Sequence, residues 1–240
     1  GAALLFMRAV FRVDRGDVPN VLKQVLPMAG WRRRKMRITI TGPRSVGKST
    51  VAEILGIKLK LKYIDGDAEI DKALKDLGGL YQMMSDGRVN EILERFIPLL
   101  SEFFEQDDFI FDLAGGAMTP GRDATKENYA KKIRGMIKDS RVILLLPSMH
   151  EDTAIKTLQE RETQREHYLR MQNSGLITAR QVKLNARKHY VKNLPVWKDI
   201  ADEVIYSDNR SPEAIADEMV ASVRWREHHL GADIGYAVNE

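Results

Sequence analysis

The stretch that decides the fold runs from Arg37 to Thr50 and reads RITITGPRSVGKST. Its first five residues are mostly β-branched, which favours a strand. Residues 42–49 then match G-x-x-x-x-G-K-S, the pattern of a phosphate-binding loop. Apolar residues at Val51, Leu55 and Leu59 recur with a helical period after the loop. Strand, loop and helix in this order predict a cradle of main-chain N–H groups at a helix N-terminus.

Each residue of the loop has an expected part in binding a polyphosphate. We expect the Lys48 ammonium to reach the β and γ phosphates and the Ser49 hydroxyl to bind Mg²⁺. The residues assigned to nucleotide binding are Gly42, Arg44, Ser45, Val46, Gly47, Lys48, Ser49 and Thr50. We therefore expect ATP and Mg²⁺ as the cofactors.

Strand-like and helix-like segments alternate along the rest of the chain. Short apolar runs predict strands at 37–41, 63–64, 109–113, 142–146 and 203–206. Helical periodicity predicts helices near 49–60, 67–106, 122–138, 151–170, 178–192 and 212–226. Strands that are apolar on both faces, separated by helices, are typical of a parallel sheet covered on both sides. The prediction is a three-layer α/β/α P-loop kinase fold with a five-stranded parallel sheet.

Carboxylates follow two of the predicted strands. Asp65 and Asp67 flank a glycine after the second strand, and Asp112 ends the third. Ligands of open parallel sheets bind outside the carboxyl ends of the strands, so these acids are expected beside the phosphate-binding loop. We assign Ser49 and Asp112 to the metal, and a carboxylate of the pair after the second strand could hold Mg²⁺ through water or accept a proton from a substrate hydroxyl. The alternatives are an acidic helix start for the first pair and a turn cap for Asp112.

Arginines follow the fourth predicted strand. We expect Arg161 and Arg165 to lie on a mobile lid, at about 161–195, that closes over the nucleotide. There they would offset charge on the transferred phosphoryl group, as Lys48 would from the loop. A solvated helix face is the alternative for the two arginines.

Several of these features together resemble the shikimate kinase family. The resemblance rests on the loop at 42–50, Asp65-Gly66-Asp67, the Gly115-Gly116 turn and the stretch 197–205, and covers about residues 36–222. It implies a five-stranded parallel sheet, an arginine-bearing lid and ATP-dependent phosphorylation of shikimate. It also implies that Asp65 lies near Mg²⁺ and that Asp67 binds the substrate hydroxyls. With this resemblance, the metal is assigned to Ser49, Asp65 and Asp112, and the predicted catalytic residues are Lys48, Asp67, Arg161 and Arg165.

The chain departs from the family where an acid substrate would bind. The glycine triplet is reduced to Gly115-Gly116-Ala117, and no arginine precedes the 193–197 element where the family usually has one. The family's Gly-Glu-x-x-Phe-Arg arginine has no clean match, which leaves Arg88 and Arg95 as candidates. The predicted substrate-binding residues are Asp67, Arg88, Arg95, Gly115 and Gly116.

Charge divides the chain into parts. Residues 1–35 hold eight Lys or Arg against two acids, although the net charge of the whole chain is +4. We predict a basic N-terminal extension at 1–35, a P-loop kinase domain at 36–228 and a C-terminal tail at 229–240. The positive charge is concentrated in the extension, so a nucleic-acid groove through the domain is not favoured.

The sequence predicts a phosphotransferase that moves the γ-phosphoryl group of ATP to a hydroxyl of a small polar metabolite, with shikimate as leading acceptor. A gluconate-type or nucleotide-type P-loop kinase is one alternative. A non-catalytic ATP-binding module whose basic extension recruits nucleic acid or a protein is the other. The chain has no cysteine and no apolar run of the length that spans a membrane, so we expect a cytoplasmic protein whose partner is the small-molecule acceptor.

Overall fold

The computed structural model describes residues 35–119 and 124–230 of the 240-residue chain. The predicted extension at 1–35 lies outside the described residues except for Lys35, and the predicted tail lies outside them from 231 onward. Both assignments stay predictions. Among the described helices, none is long and apolar enough to cross a membrane.

The described part alternates between strands and helices, as the sequence predicts. The strands are β1 (Arg37–Thr41), β2 (Lys62–Asp65), β3 (Phe109–Asp112), β4 (Arg141–Leu146) and β5 (Glu203–Tyr206). The helices are α1 (Lys48–Leu59), α2 (Gly66–Ala73), α3 (Gly79–Ser85), α4 (Val89–Glu105), α5 (Ala124–Ile137), α6 (Glu151–Thr163), α7 (Glu166–Asn173), α8 (Ala179–Ile200) and α9 (Pro212–Leu230). Short 3₁₀ turns occur at Lys75–Leu77 and Gly115–Met118.

The five strands form one parallel sheet in the order β2-β3-β1-β4-β5. This confirms the predicted fold class. The chain leaves β1 at the centre of the sheet, so the phosphate-binding loop lies between the ends of β3 and β4. Asp65 pairs with Asp112 in the register of β2 and β3, and Ile40 pairs with Asp112 in the register of β1 and β3. The register therefore places the two predicted metal-binding carboxylates side by side next to the loop.

Apolar residues on both faces hold the helices against the sheet. Ile38 and Ile40 of β1 are fully buried, as are the three residues 109–111 of β3. On one side, Phe103 and Phe104 of α4 pack on Phe111 with ring centroids 5.9 and 5.7 Å apart. Burying such side chains stabilises a fold by about 1.5–3 kcal/mol each, so the site stands on a rigid base.

Two predicted helices are interrupted in the structure. The segment predicted as one helix at 67–106 forms α2, a 3₁₀ turn, α3 and α4. Gly78 and Gly79 adopt the left-handed region with φ of 95° and 85°, a backbone state that ends a helix. The helix predicted at 151–170 likewise ends at Thr163, and a new one begins at Glu166. The chain between β2 and β3 is therefore a small helical subregion rather than one rod.

Candidate active site

The phosphate-binding loop turns sharply between β1 and α1. Gly42 has φ of 143°, and a Cβ on it would lie 2.2 Å from the carbonyl oxygen of Leu145, so no other residue fits there. Gly47 caps α1 with φ of 104°, and no side chain bonds to the first-turn N–H groups of this described helix. Val46 is buried under the loop, while Thr50 is exposed in the first turn of α1. The loop thus offers main-chain donors to an anion, as the motif predicts.

Lys48 lies across this loop. Its Nζ donates a hydrogen bond to the carbonyl oxygen of Pro43 at 3.2 Å. Burial lowers the pKa of Lys48, and the charges of Asp112 and Asp67 oppose that shift. An ammonium group that has partly lost its water and lies between two carboxylates is placed to bind phosphate oxygens.

Ser49 and Asp112 form the oxygen pair predicted for a metal ion. Ser49 Oγ donates to Asp112 Oδ2 at 2.5 Å, and Asp112 is only 6% exposed at the end of β3. Burial raises the pKa of Asp112, while Lys48 and the Ser49 hydrogen bond lower it. The Tyr63 phenol lies in the same cluster, since burial and then the charges of Asp65 and Asp112 raise its pKa. The sequence marked Tyr63 as a strand residue and gave no hint of this position.

Asp65 has a structural task beside these groups. It is the N-cap of α2, and its Oδ1 accepts a hydrogen bond from the Ala68 N–H at 3.0 Å. The charge of Asp65 also acts on Asp112, its register partner, and raises the pKa of Asp112. The helix-start interpretation of the acidic pair therefore holds for Asp65 and is compatible with a role at a metal ion.

Asp67 lies on the first turn of α2, opposite Lys48. Its side chain remains accessible to water, yet the surrounding protein excludes enough solvent to raise the pKa of Asp67. The positive charge of Lys48 opposes this shift, with smaller contributions from Arg44 and Arg165. A carboxylate with a raised pKa is a stronger base, as proton abstraction from a hydroxyl requires.

The Gly115-Gly116 turn packs directly on the phosphate-binding loop. A Cβ on Gly115 would lie 2.3 Å from the carbonyl oxygen of Gly42 and 2.8 Å from the Trp197 ring. The Trp197 indole Nε1 donates to the carbonyl oxygen of Gly115 at 2.9 Å. Gly116 faces His189, whose Nε2 would lie 3.4 Å from an added Cβ. The turn is therefore held between the loop and α8, at the place predicted for substrate.

The predicted lid arginines contact the loop in different ways. Arg161 Nη1 donates to the carbonyl oxygens of Ser45 and Val46, each at 3.2 Å, so it holds the backbone of the loop. Arg165 lies beyond the end of α6, and its charge acts on both Lys48 and Asp67. Glu162 lies between them, 4% exposed, and accepts a 2.6 Å hydrogen bond from Ser45 Oγ. Sequence reasoning assigned no role to Glu162, because its partner Ser45 is 117 residues away.

Arg88 and Arg95 lie apart from this cluster. Arg88 donates two hydrogen bonds to Glu91, at 2.8 and 2.6 Å, on the exposed start of α4. Arg95 forms an exposed ion pair with Asp76 at 3.3 Å. Their guanidinium groups face surface acids in this structure, so their assignment to the substrate stays a prediction.

Sequence reasoning missed three residues of α8 that line the site. His189, Asn193 and Trp197 recur every four residues and therefore share one helix face. His189 packs on Trp197 with ring centroids 5.8 Å apart, and Asn193 is buried with no hydrogen-bond partner for its Oδ1. Burial lowers the pKa of His189 to about 4, and the Arg44 charge adds to the effect, so the imidazole is neutral at pH 7. The i, i+4, i+8 spacing before β5 was the signal that could have found them.

The residues present fit a magnesium-bound nucleoside triphosphate. Uncapped N–H groups and the Lys48 ammonium suit the phosphates, and the hard oxygen donors Ser49, Asp65 and Asp112 suit Mg²⁺. Together with the central loop of a five-stranded parallel sheet, they define a P-loop kinase of small molecules. The model of the family described as shikimate kinase matches residues 44–224. The chain belongs to the shikimate kinase family, whose members use ATP and Mg²⁺.

Individual relatives agree with this assignment. The shikimate kinase of Histophilus somni is 26% identical over 187 residues, covering 78% of this chain and 94% of the relative. A solved structure of shikimate kinase from Acinetobacter baumannii in complex with shikimate has a TM-score of 0.58 at 18% identity, covering 80% of this chain and 95% of that one. Deoxyadenosine kinase from M. mycoides matches the fold with a TM-score of 0.51 at 18% identity, over 79% of this chain and 99% of that one.

Proposed function

We propose that the chain transfers the γ-phosphoryl group of ATP to a hydroxyl group of shikimate. The observation that carries the proposal is the arrangement of Asp67 opposite Lys48, across the mouth of the phosphate-binding loop. One group is a base for an acceptor hydroxyl, and the other is an ammonium for the phosphoryl oxygens. Family membership and the relatives named above support shikimate as the acceptor.

Asp67 is the proposed general base. Its carboxylate would accept a hydrogen bond from the reacting hydroxyl and take the proton as the oxygen attacks phosphorus. The raised pKa of Asp67 strengthens it as a base, and the nearby Lys48 charge favours its ionised form. Its position on the first turn of α2, two residues after the cap Asp65, fixes it at the end of β2.

Lys48 and Arg165 are proposed to stabilise negative charge on the phosphoryl group in the transition state. Both act electrostatically on Asp67, so both lie at the point where the acceptor and the phosphoryl group would meet. Arg161 would keep the loop amides in position through its two carbonyl contacts. Bound Mg²⁺, held by Ser49 and Asp112 with Asp65 nearby, would offset charge on the phosphate oxygens.

The test is turnover with a panel of acceptors. Purified full-length chain is supplied with ATP, Mg²⁺ and either shikimate, gluconate or a nucleoside monophosphate, and ADP release is followed. We expect shikimate to raise ADP release far above the rate without acceptor, and Lys48→Met to abolish the increase. A preference for gluconate or for a nucleotide would replace shikimate as acceptor and leave the kinase assignment in place. ADP release that no acceptor raises would contradict the proposal.

A further inference from the structure

An acceptor that carries a carboxylate needs a cationic side chain to bind it. The site has such a side chain in a residue that the sequence analysis assigns to nucleotide binding. Arg44, the second residue after Gly42 in the loop, was assigned to the cofactor. Its side chain extends towards the lid, where Nη1 donates to the Tyr168 hydroxyl at 3.0 Å. The side chain therefore leaves the phosphate cradle, while its backbone stays in it.

Arg44 lines a cavity of about 250 Å³ between the loop, α7 and α8. The polar side chains around this cavity are those of Arg44, Glu162, Tyr168, Asn185 and His189. Its volume lies just below the range of about 300–1,000 Å³ for drug-sized ligands, which suits a small metabolite or part of one. His189 connects the cavity to the Gly115-Gly116 turn, the predicted substrate position.

The charges around the cavity favour an anion near Arg44. Glu162 is already engaged, because its Oε1 accepts a hydrogen bond from Ser45 Oγ at 2.6 Å and lies 3.6 Å from Arg165 Nη1. Tyr168 and Asn185 are neutral, and the pKa of His189, about 4, leaves its imidazole neutral as well. Arg44 is therefore the one cationic side chain in the described cavity lining, and the Glu162 carboxylate there is held by Ser45 and Arg165. Its charge also acts on the Asp67 carboxyl and lowers the pKa of that group, so the two charges lie within reach of each other.

We propose that Arg44, assisted by the Tyr168 hydroxyl, binds the carboxylate of a hydroxy-acid acceptor and makes the enzyme specific for anionic acceptors. The inference rests on the proposed function, in which Asp67 binds the hydroxyl that is phosphorylated. A hydroxy acid would then be held at both ends, by its hydroxyl on Asp67 and by its carboxylate on Arg44. A guanidinium group suits the second role, because its planar donors match the two oxygens of a carboxylate.

The test compares shikimate with an analogue in which the carboxyl group is reduced to hydroxymethyl. Arg44→Met removes the charge and keeps much of the side-chain length. We expect it to raise KM for shikimate about 10- to 100-fold, the size of a hydrogen bond to a charged group, and to leave KM for the neutral analogue unchanged. The dissociation constant for ADP, measured by calorimetry, should stay within about 3-fold, well short of such a loss.

Two further variants keep the result interpretable. Arg180→Met makes the same change at an exposed arginine in the first turn of α8 and should leave every constant at its wild-type value. Tyr168→Phe removes only the hydroxyl and should raise KM for shikimate about 2- to 10-fold, as the loss of a neutral hydrogen bond does. This second variant tests the same contact should Arg44→Met disturb the folding of the loop.

Three results would overturn the inference. One is an Arg44→Met variant whose KM rises equally for shikimate and for the neutral analogue. Another is a loss of ADP affinity with unchanged KM for shikimate, which would return Arg44 to the nucleotide side. The third, a wild-type enzyme that phosphorylates no hydroxy acid, would contradict the proposed function itself and the inference with it.

Discussion

Gly115→Ala is predicted to destabilise the protein and to damage the phosphate-binding loop at a distance. The added Cβ would lie 2.3 Å from the Gly42 carbonyl oxygen, 3.0 Å from the Gly42 carbonyl carbon and 2.8 Å from Trp197 Cζ2. Two of these three atoms belong to the Gly42 backbone, which cannot move away through a side-chain rotation. The loop and the turn would have to separate by about 1 Å to reach ordinary van der Waals contact.

The magnitude follows from two losses. Forcing an extra carbon into a packed site costs about 1–3 kcal/mol, and moving the turn strains the Trp197 hydrogen bond to Gly115, worth about 1 kcal/mol. We therefore expect the free energy of unfolding to fall by about 2–4 kcal/mol. In a chain of this size that lowers the melting temperature by about 5–15 °C. Since Gly42 belongs to the loop, ADP affinity should fall together with stability.

Urea denaturation and calorimetric ADP binding measure both effects on the full-length chain. Gly116→Ala is the matched control for stability, because its Cβ would meet only His189 Nε2 at 3.4 Å, an ordinary contact. We expect it to change the free energy of unfolding by less than about 1 kcal/mol. Equal stability of the two variants would refute the claim that loop and turn are in contact.

Three further predictions concern the charged groups. Asp67→Asn should lower kcat about 10²- to 10⁴-fold and leave KM for ATP nearly unchanged, as the loss of a general base does. In the wild type, kcat should fall as the pH drops through the pKa of Asp67, which burial raises above its ordinary value of 3.8. His189→Gln should make the free energy of unfolding less dependent on pH on the acid side. The pKa of His189 is about 4 in the folded protein and 6.5 in the unfolded chain, so the wild type loses up to about 3 kcal/mol of stability as the pH falls between these values. A variant that loses as much stability over this range would contradict the prediction. Arg161→Met should weaken ADP binding about 10-fold in calorimetry through the loss of two loop contacts, and unchanged affinity would show that the loop needs no such support.

The sequence was sufficient for the parts of the site that are encoded locally. The loop motif lies between a β-branched strand and an apolar helix, so its ends and its role follow from neighbouring residues. Asp65, Asp67 and Asp112 could be placed because parallel strands bring their carboxyl ends to one edge of the sheet. Strand β5 and the start of α9 at Pro212 match the prediction for the same reason, since local composition determines both.

The remaining parts depend on contacts between distant segments. Glu162 meets Ser45 across 117 residues, and Trp197 meets Gly115 across 82, so neither partner is visible from its own neighbourhood. The direction of the Arg44 side chain is likewise fixed by Tyr168, 124 residues away. The surface ion pairs of Arg88 with Glu91 and of Arg95 with Asp76 were likewise not visible in the pattern that offered these arginines as substrate ligands, and that assignment stays a prediction. Helix faces and ion-pair partners had to come from the structure.

Phosphorus NMR of the reaction products tests the central claim most directly. Full-length chain is incubated with ATP, Mg²⁺ and shikimate, and the spectrum is followed until ATP is consumed. The account predicts one phosphomonoester signal from phosphorylated shikimate that grows in step with ADP, and that grows about 10²- to 10⁴-fold more slowly with Asp67→Asn. Release of inorganic phosphate alone, or a spectrum in which ATP persists, would contradict transfer to a hydroxyl group at this site.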